Sequence, residues 1–300
     1  MNVIECSGLT KVYGNIKALN DLSVNIEENK ITGLVGRNGT GKTTFLKIIA
    51  GFLSQSAGEI NVFSEKPFNS IKVSANMIFI DDIMTFPPSL TVNDILDAAG
   101  GFYANFDLEL AKDLLNYFGI DPRQYPIRLS KGMKSTFMVV LGISARCSLT
   151  ILDEPTIGMD AAVRKDFYRA LLKDYVAFPR TIIISSHYLK EIEDLIEDVL
   201  LIKDGQKCLH LPITELSELA VGFRGKPDIV EKFVSGKEII HQERIGKDGL
   251  YVVVKNDFTG EKLHKAKMSG LEISGATPED LCVYLTAKAK GGIDDVFDRD

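Results

Sequence analysis

The sequence contains a glycine-rich segment that is typical of phosphate binding. Residues 36–43 read GRNGTGKT and match the pattern G-x-x-x-x-G-K-[ST] at every fixed position. An apolar run of strand length, residues 31–35, precedes this segment, and an amphipathic stretch, residues 42–50, follows it. Between a strand and a helix, glycines let backbone N–H groups curl around phosphate oxygens, and the helix N-terminus adds partial positive charge. We therefore predict that the segment binds the phosphates of a nucleotide.

Two side chains of this segment have distinct predicted roles. Lys42 is predicted to reach the β- and γ-phosphates, where its charge serves both binding and catalysis. The Thr43 hydroxyl is predicted to bind Mg²⁺. The predicted phosphate ligands are Gly36, Asn38, Gly39, Thr40, Gly41, Lys42, Thr43 and Thr44. The alternative interpretation is a glycine turn that binds no ligand.

A pair of acidic residues, Asp153 and Glu154, follows the apolar run 149–152. Parallel sheets bind ligands at the carboxyl ends of their strands, so these carboxylates are expected beside the phosphates. Asp153 is predicted to hold Mg²⁺, usually through water, and Glu154 to orient or deprotonate the hydrolytic water. By itself such a pair is commonly only a solvated strand end, and the phosphate-binding segment favours the catalytic interpretation.

Several motifs around these residues resemble those of ABC transporter ATPase subunits. Residues 153–160 (DEPTIGMD) resemble the Walker B and D-loop run of that family. Residues 129–133 (LSKGM) begin 24 residues before Asp153 and resemble its signature, usually LSGGQ, in the variant form of some antibiotic and peptide export ATPases. The motifs occur in the family's order, and the resemblance covers about residues 1–215.

The resemblance assigns further site residues. It implies that Tyr13 stacks on adenine, although a lone tyrosine after a strand is more often a packing residue. Ser130 and Gly132 would contact the γ-phosphate bound to a second subunit, and His187 would donate a hydrogen bond to the γ-phosphate. Counting back from residues 90–92 (LTV) places Asp82 at the family's Q-loop glutamine, a predicted metal contact, with Asp81 as the alternative one residue away.

The surrounding elements predict an α/β architecture, because short β-branched runs alternate with helical stretches. The predicted strands are residues 31–35, 76–80, 149–152, 181–185 and 199–202, and the predicted helices are residues 42–50, 161–177 and 187–196. Residues 91–147 form a predicted helical subdomain inserted between strands. The resemblance implies a P-loop NTPase core with a parallel sheet and an antiparallel β portion.

A turn signal, Asp204-Gly205, precedes the predicted end of the ATPase domain, residues 1–218. Residues 219–290 alternate as strand, helix, strand, strand, helix, strand and helix, which predicts a small accessory α+β domain of split βαβ type. Residues 291–300 are predicted to form an acidic tail.

Composition excludes several classes of protein. The 300 residues include 35 Lys+Arg and 41 Asp+Glu, a net charge of −6, so binding of nucleic acid by phosphate neutralisation is not expected. No apolar run approaches the ~20 residues of a membrane span, and the N-terminus lacks the pattern of a signal peptide. We expect a cytoplasmic protein that lies peripherally on the inner face of the cell membrane through its partner.

The resemblance implies an ATPase that uses ATP and Mg²⁺ to drive a separate integral-membrane permease. The T-x-G-M-D form of residues 156–160 and the short accessory domain resemble exporter subunits more than sugar importers, so we expect an exporter. In that family, ATP-dependent closure of two ATPase subunits drives the permease. The resemblance therefore implies that this chain pairs with a second copy of itself or with a closely related ATPase subunit. The first alternative is a soluble ABC-type ATPase that acts on nucleic acid or ribosomes, although the chain has a single cassette and no sustained heptads. The second is a nucleotide-binding regulator without turnover, which would lack a catalytic acid, whereas Glu154 is present.

Overall fold

The computed structural model describes residues 1–246 and 248–287. The chain divides into two compact units, one comprising residues 1–210 and the other beginning at Leu211. The first nine strands are β1 (Asn2–Tyr13), β2 (Ile16–Glu27), β3 (Ile31–Val35), β4 (Ala57–Val62), β5 (Met77–Asp81), β6 (Leu149–Asp153), β7 (Thr181–Ser186), β8 (Asp198–Lys203) and β9 (Gln206–Pro212). The first six helices are α1 (Lys42–Ile49), α2 (Ile71–Ala75), α3 (Val92–Phe102), α4 (Leu108–Tyr117), α5 (Lys131–Ser144) and α6 (Ala161–Ala177).

The central sheet has six strands in the order β5-β6-β7-β3-β8-β9, and the pairs from β5 to β8 are parallel. Strands β3, β5, β6 and β7 are buried along their whole length, which explains their continuous apolar sequences. The order β6-β7-β3 brings the carboxyl ends of these three strands to one edge. This arrangement confirms the predicted parallel core and places the acidic pair near the glycine-rich segment.

A second sheet supports the start of α1. Strands β2, β1 and β4 form an antiparallel sheet in that order. Its apolar side chains share a core with the buried face of α1, including Leu9, Leu22, Phe45 and Ile49. The antiparallel β portion implied by the family resemblance is therefore confirmed, and it holds the first helix of the nucleotide-binding region in place.

The predicted helical subdomain contains α3, α4, a short 3-10 turn (Pro126–Arg128) and α5. An ion-pair network ties this region to α6. Arg146 lies 2.9 Å from a carboxylate oxygen of Asp107 and 2.8 Å from one of Asp174, which lies 2.8 Å from Arg180. Through Asp107, which caps α4, and Asp174 of α6, the network connects the N-terminus of α4 to α6. Breaking it would be costly, because removing one partner leaves an uncompensated buried charge.

The predicted helix over residues 187–196 is wrong. This segment contains only a 3-10 turn, Leu189–Glu191, among other turns. The Ser186 hydroxyl accepts a hydrogen bond from the Tyr188 N–H and donates one to the Tyr188 carbonyl, which starts a turn directly after β7. Ile192 and Ile196 pack over Gly33 of β3, where a Cβ would lie 2.6 Å from the Ile196 Cδ1. Packing against the sheet therefore overrides the helical periodicity.

The second unit has the predicted alternation of strands and helices. Its elements are α7 (Ile213–Leu216), β10 (Ala220–Gly225), α8 (Pro227–Phe233), β11 (Ile239–Ile245), β12 (Gly249–Lys255), α9 (Gly260–Met268), β13 (Glu272–Gly275) and α10 (Pro278–Thr286). The strands form an antiparallel sheet in the order β11-β12-β10-β13. This is the α+β architecture expected of the C-terminal region.

The limits of the second unit can be compared with the sequence pattern. The alternation pattern ends the first domain at residue 218, whereas the second unit begins at Leu211. The earlier start includes α7, which packs on α10. The predicted tail, residues 291–300, lies outside the described residues. Among residues 1–246 and 248–287, no helix combines the length and the apolar character needed to cross a membrane.

Candidate nucleotide-hydrolysis site

The glycine-rich segment connects β3 to α1 and depends on glycine at two positions. Gly41 has φ +103°, and a Cβ on it would lie 2.3 Å from the Ala18 carbonyl oxygen. A Cβ on Gly36 would lie 2.5 Å from the Ile202 carbonyl oxygen. Helix α1 has no side-chain cap and no acidic residue in its first turn. Its first N–H groups are therefore available to an anion, as phosphate binding requires.

Lys42 lies over this segment with only 6% of its side chain exposed. Its ammonium donates a hydrogen bond of 2.6 Å to the Gly36 carbonyl and lies 3.6 Å from Oε1 of Glu154. Burial lowers the pKa of Lys42, and the charges of Glu154 and Asp153 oppose that shift. The ammonium also donates a longer hydrogen bond, of 3.4 Å, to the Arg37 carbonyl. A buried positive charge beside this loop is suited to an anionic ligand.

Strand β6 delivers the acidic pair to the same edge. Asp153, at the end of the strand, is buried. Glu154 has φ +49°, an uncommon backbone conformation for a residue with a side chain. Its Oε2 lies 2.7 Å from Nδ1 of His187, which follows β7. The Glu154 carboxylate therefore lies between the His187 ring and the Lys42 ammonium.

Lys42, Glu154 and His187 line one pocket of about 290 Å³. Its lining residues are Ala18, Asn38, Gly39, Gly41, Lys42, Thr43, Thr44, Glu154, Ile157 and His187. Eight of the ten are residues predicted from the sequence. The two additions are Ala18 and Ile157, whose apolar side chains carry no chemical signal, although Ile157 lies within the DEPTIGMD run. Gly36 and Thr40 lie in the loop itself, where the Thr40 hydroxyl donates to the Arg37 carbonyl at 2.9 Å.

Five other predicted residues do not line this pocket: Tyr13, Asp82, Ser130, Gly132 and the buried Asp153. Tyr13, at the end of β1, is 45% exposed, and the Lys11 ammonium lies 5.3 Å from its ring centroid. Ser130 accepts a hydrogen bond of 3.3 Å from the Met133 N–H and thereby caps α5. Ser130 and Gly132 line a different pocket, of about 340 Å³, together with Gly158 to Asp160.

Comparison with known proteins identifies the family. The family model described as "ABC transporter" matches residues 19–157. The chain is 32% identical to the ABC transporter ATP-binding protein YtrB of Bacillus subtilis, over 72% of this chain and 74% of that protein. The chain belongs to the ABC transporter ATP-binding proteins. It is also 30% identical to the bacitracin transport ATP-binding protein BcrA of Bacillus licheniformis, over 72% of each chain.

Solved ABC structures share the fold. An ATP-binding subunit of an ABC transporter superposes with a TM-score of 0.64 at 22% identity, over 71% of this chain and 91% of that one. The dimeric ATP-binding cassette MJ0796, solved with ADP and Pi, gives a TM-score of 0.60 at 19% identity, over 70% of this chain and 98% of that one. Membership of this family makes the chain an ATP-binding subunit that hydrolyses ATP.

The two candidates for the ABC Q-loop position differ in environment. Asp82 is exposed and does not line the pocket of Lys42 and Glu154. Asp81 is buried at the end of β5, in register with Asp153 of β6. Its Oδ2 lies 3.5 Å from Nζ of Lys47, one helical turn beyond Thr43 on α1. The ion pair therefore connects α1, the helix that follows the phosphate loop, to the end of β5.

This difference predicts unequal effects on stability. Asp81→Ala is expected to lower the free energy of unfolding by about 1–3 kcal/mol, because it leaves the half-buried Lys47 without its carboxylate partner. Asp82→Ala is expected to change it by less than about 0.5 kcal/mol, as is usual for an exposed side chain. Urea denaturation of the two variants measures both values. A larger loss for Asp82→Ala than for Asp81→Ala would contradict the assignment.

Proposed function

We propose that the chain is the ATPase subunit of an exporter and that it drives a separate integral-membrane permease. The observation that carries the catalytic part is the Glu154 carboxylate, 2.7 Å from His187 and 3.6 Å from the Lys42 ammonium in one pocket. The direction of transport is supported by similarity to a bacitracin transport protein and by the LSKGM form of the signature. In this proposal, the permease selects the transported substrate.

The site is suited to ATP together with Mg²⁺. The N–H groups of the first turn of α1 and the Lys42 ammonium would hold the phosphates, while Thr43 and Asp153 would hold the metal. Asp82 remains a proposed third contact. The described residues contain no cluster of three or more His, Cys, Asp or Glu fit to bind a metal. Mg²⁺ in phosphate sites uses one or two carboxylates and otherwise waters and phosphate oxygens. Bound Mg²⁺ would neutralise charge on the phosphates during transfer.

The protein groups then divide the work of hydrolysis. Glu154 would orient a water molecule and accept its proton, because its carboxylate lines the same pocket as the phosphate loop. His187, beside Glu154, would donate a hydrogen bond to the γ-phosphate. Lys42 would stabilise charge on the phosphates, which it can do at full strength since it is shielded from water.

The separation of the signature from the phosphate loop supports a dimer. Ser130 and Gly132 line a pocket that shares no residue with the pocket of Lys42. We propose that they contact the γ-phosphate held by a second subunit, either a second copy or a closely related ATPase. The N-terminus of α5 would add partial positive charge there. Tyr13 is proposed to stack on the adenine ring of the nucleotide held by its own subunit.

The permease partnership can be tested by purification from native membranes. A tagged form of the protein, extracted with detergent in the presence of ATP, is expected to carry a polytopic membrane protein in a near-equimolar ratio. An untagged strain serves as the control. Recovery of ribosomal proteins or nucleic acid without a membrane protein would favour the soluble ATPase instead. The proposed location is the inner face of the cell membrane, through the permease.

A further inference from the structure

Ser185 lies next to both proposed catalytic carboxylates. It occupies the carboxyl end of β7 and is only 1% exposed. It follows three isoleucines, residues 182–184, and pairs in register with Asp153 on the neighbouring strand β6. Polar partners are favoured for a hydroxyl at such a position, since an unpaired buried hydroxyl is costly.

The partners of Ser185 are the two acidic residues. Its hydroxyl donates a hydrogen bond to Oδ1 of Asp153 at 2.5 Å, and its oxygen accepts one from the Glu154 N–H at 2.8 Å. A serine has a single hydroxyl proton, and a carboxylate can only accept while an N–H can only donate. Both hydrogen bonds therefore have a fixed direction, and one side chain orients two neighbouring residues.

The bond to Glu154 acts at a strained position. The φ of +49° at Glu154 lies in the left-handed region, which residues with a side chain adopt at an energetic cost. Pro155 follows, and a residue before proline is further restricted. The hydrogen bond from the Glu154 N–H to Ser185 favours this conformation, and the conformation in turn directs the carboxylate to His187.

We infer that Ser185 is a positioning residue for ATP hydrolysis, which fixes the Asp153 carboxylate and the Glu154 backbone through one hydroxyl. The inference rests on the proposed roles of Asp153 and Glu154. Ser185 itself does not line the pocket of Lys42, so it acts through its two partners. A purely structural serine would support folding without any selective effect on turnover.

The test is Ser185→Ala, assayed as purified full-length protein. We expect kcat to fall at least tenfold while KM for ATP changes less than threefold, because the phosphate loop is untouched. Thr150→Val is the matched control. Thr150 is fully buried on β6, and its hydroxyl has no hydrogen-bond partner among the described residues. This control removes a buried hydroxyl from the same sheet, and its kcat is expected to stay within twofold of the parent.

Two further measurements separate positioning from folding. Ser185→Thr keeps the hydroxyl and is expected to restore kcat to within threefold of the parent. The gain in affinity for a fluorescent ATP analogue on adding Mg²⁺ is expected to shrink at least threefold in Ser185→Ala, since Asp153 loses its donor. If Ser185→Ala does not fold, Ser185→Cys replaces it, because a thiol is a much weaker donor and acceptor.

Several results would overturn the inference. These are a kcat for Ser185→Ala or Ser185→Cys within twofold of the parent, an equal loss in Thr150→Val, or a Ser185→Thr variant as slow as the alanine variant. Failure of the proposed function is distinguishable, because it would appear as unchanged turnover in Glu154→Gln. If Glu154→Gln is inactive while Ser185→Ala is not, the catalytic assignment stands and only the role of Ser185 is wrong.

Discussion

Glu154→Gln is expected to hydrolyse ATP at least about a hundredfold more slowly than the parent while binding ATP with nearly parental affinity. General-base catalysis contributes about 10²- to 10⁴-fold, and a hundredfold loss corresponds to about 2.7 kcal/mol in the barrier. Glutamine keeps the size and the hydrogen-bonding oxygen of the side chain but cannot accept the proton of the attacking water. Phosphate release measures turnover, and a fluorescent nucleotide measures affinity.

A matched substitution provides the control for this experiment. Glu59 is exposed on β4, in the antiparallel sheet. Glu59→Gln is expected to keep the parental rate of ATP hydrolysis and the parental affinity for ATP. Light scattering in the presence of ATP would follow the dimer that Glu154→Gln is expected to accumulate. Unchanged phosphate release in Glu154→Gln would remove this residue from catalysis, and the carboxylate between Lys42 and His187 would then need another explanation.

The parts of the site that the sequence predicts are those specified by local chemistry. The phosphate loop is encoded within eight consecutive residues, because glycine is required wherever a Cβ would strike the backbone, as at Gly36 and Gly41. The buried strands β3, β6 and β7 are continuous apolar runs, so they stand out without knowledge of their neighbours. Their order in the sheet then brings the acidic pair to the loop.

The parts that the sequence does not predict depend on contacts between distant segments. The role of Ser185 requires the register of β6 against β7 and the left-handed conformation of Glu154. The burial of Asp81 rather than Asp82 depends on where β5 ends and on Lys47 from another element. The segment after His187 has a helical pattern but forms turns, and its isoleucines pack against Gly33 of β3. None of these contacts leaves a periodic or local signal.

Lys42→Ala is expected to weaken ATP binding by roughly 10- to 100-fold, because it removes a charge-assisted contact to the phosphates of about 1.5–3 kcal/mol. The folded state should tolerate the change. Burial lowers the pKa of Lys42, so the folded state disfavours the charged form of this side chain relative to water. We therefore expect the melting temperature without nucleotide to stay close to that of the parent. Lys66, exposed beyond β4, supplies the control Lys66→Ala.

The comparison of Lys42→Ala with Glu154→Gln separates binding from catalysis. Both residues lie in one pocket, with their charged groups 3.6 Å apart, so proximity alone cannot distinguish their roles. The lysine is proposed to contact the phosphates in the ground state, and its loss should then raise the dissociation constant. The glutamate is proposed to act on the attacking water, and its loss should then lower kcat alone. Titration of both variants with the same fluorescent nucleotide decides the matter, since equal affinities in the two would contradict this division of roles.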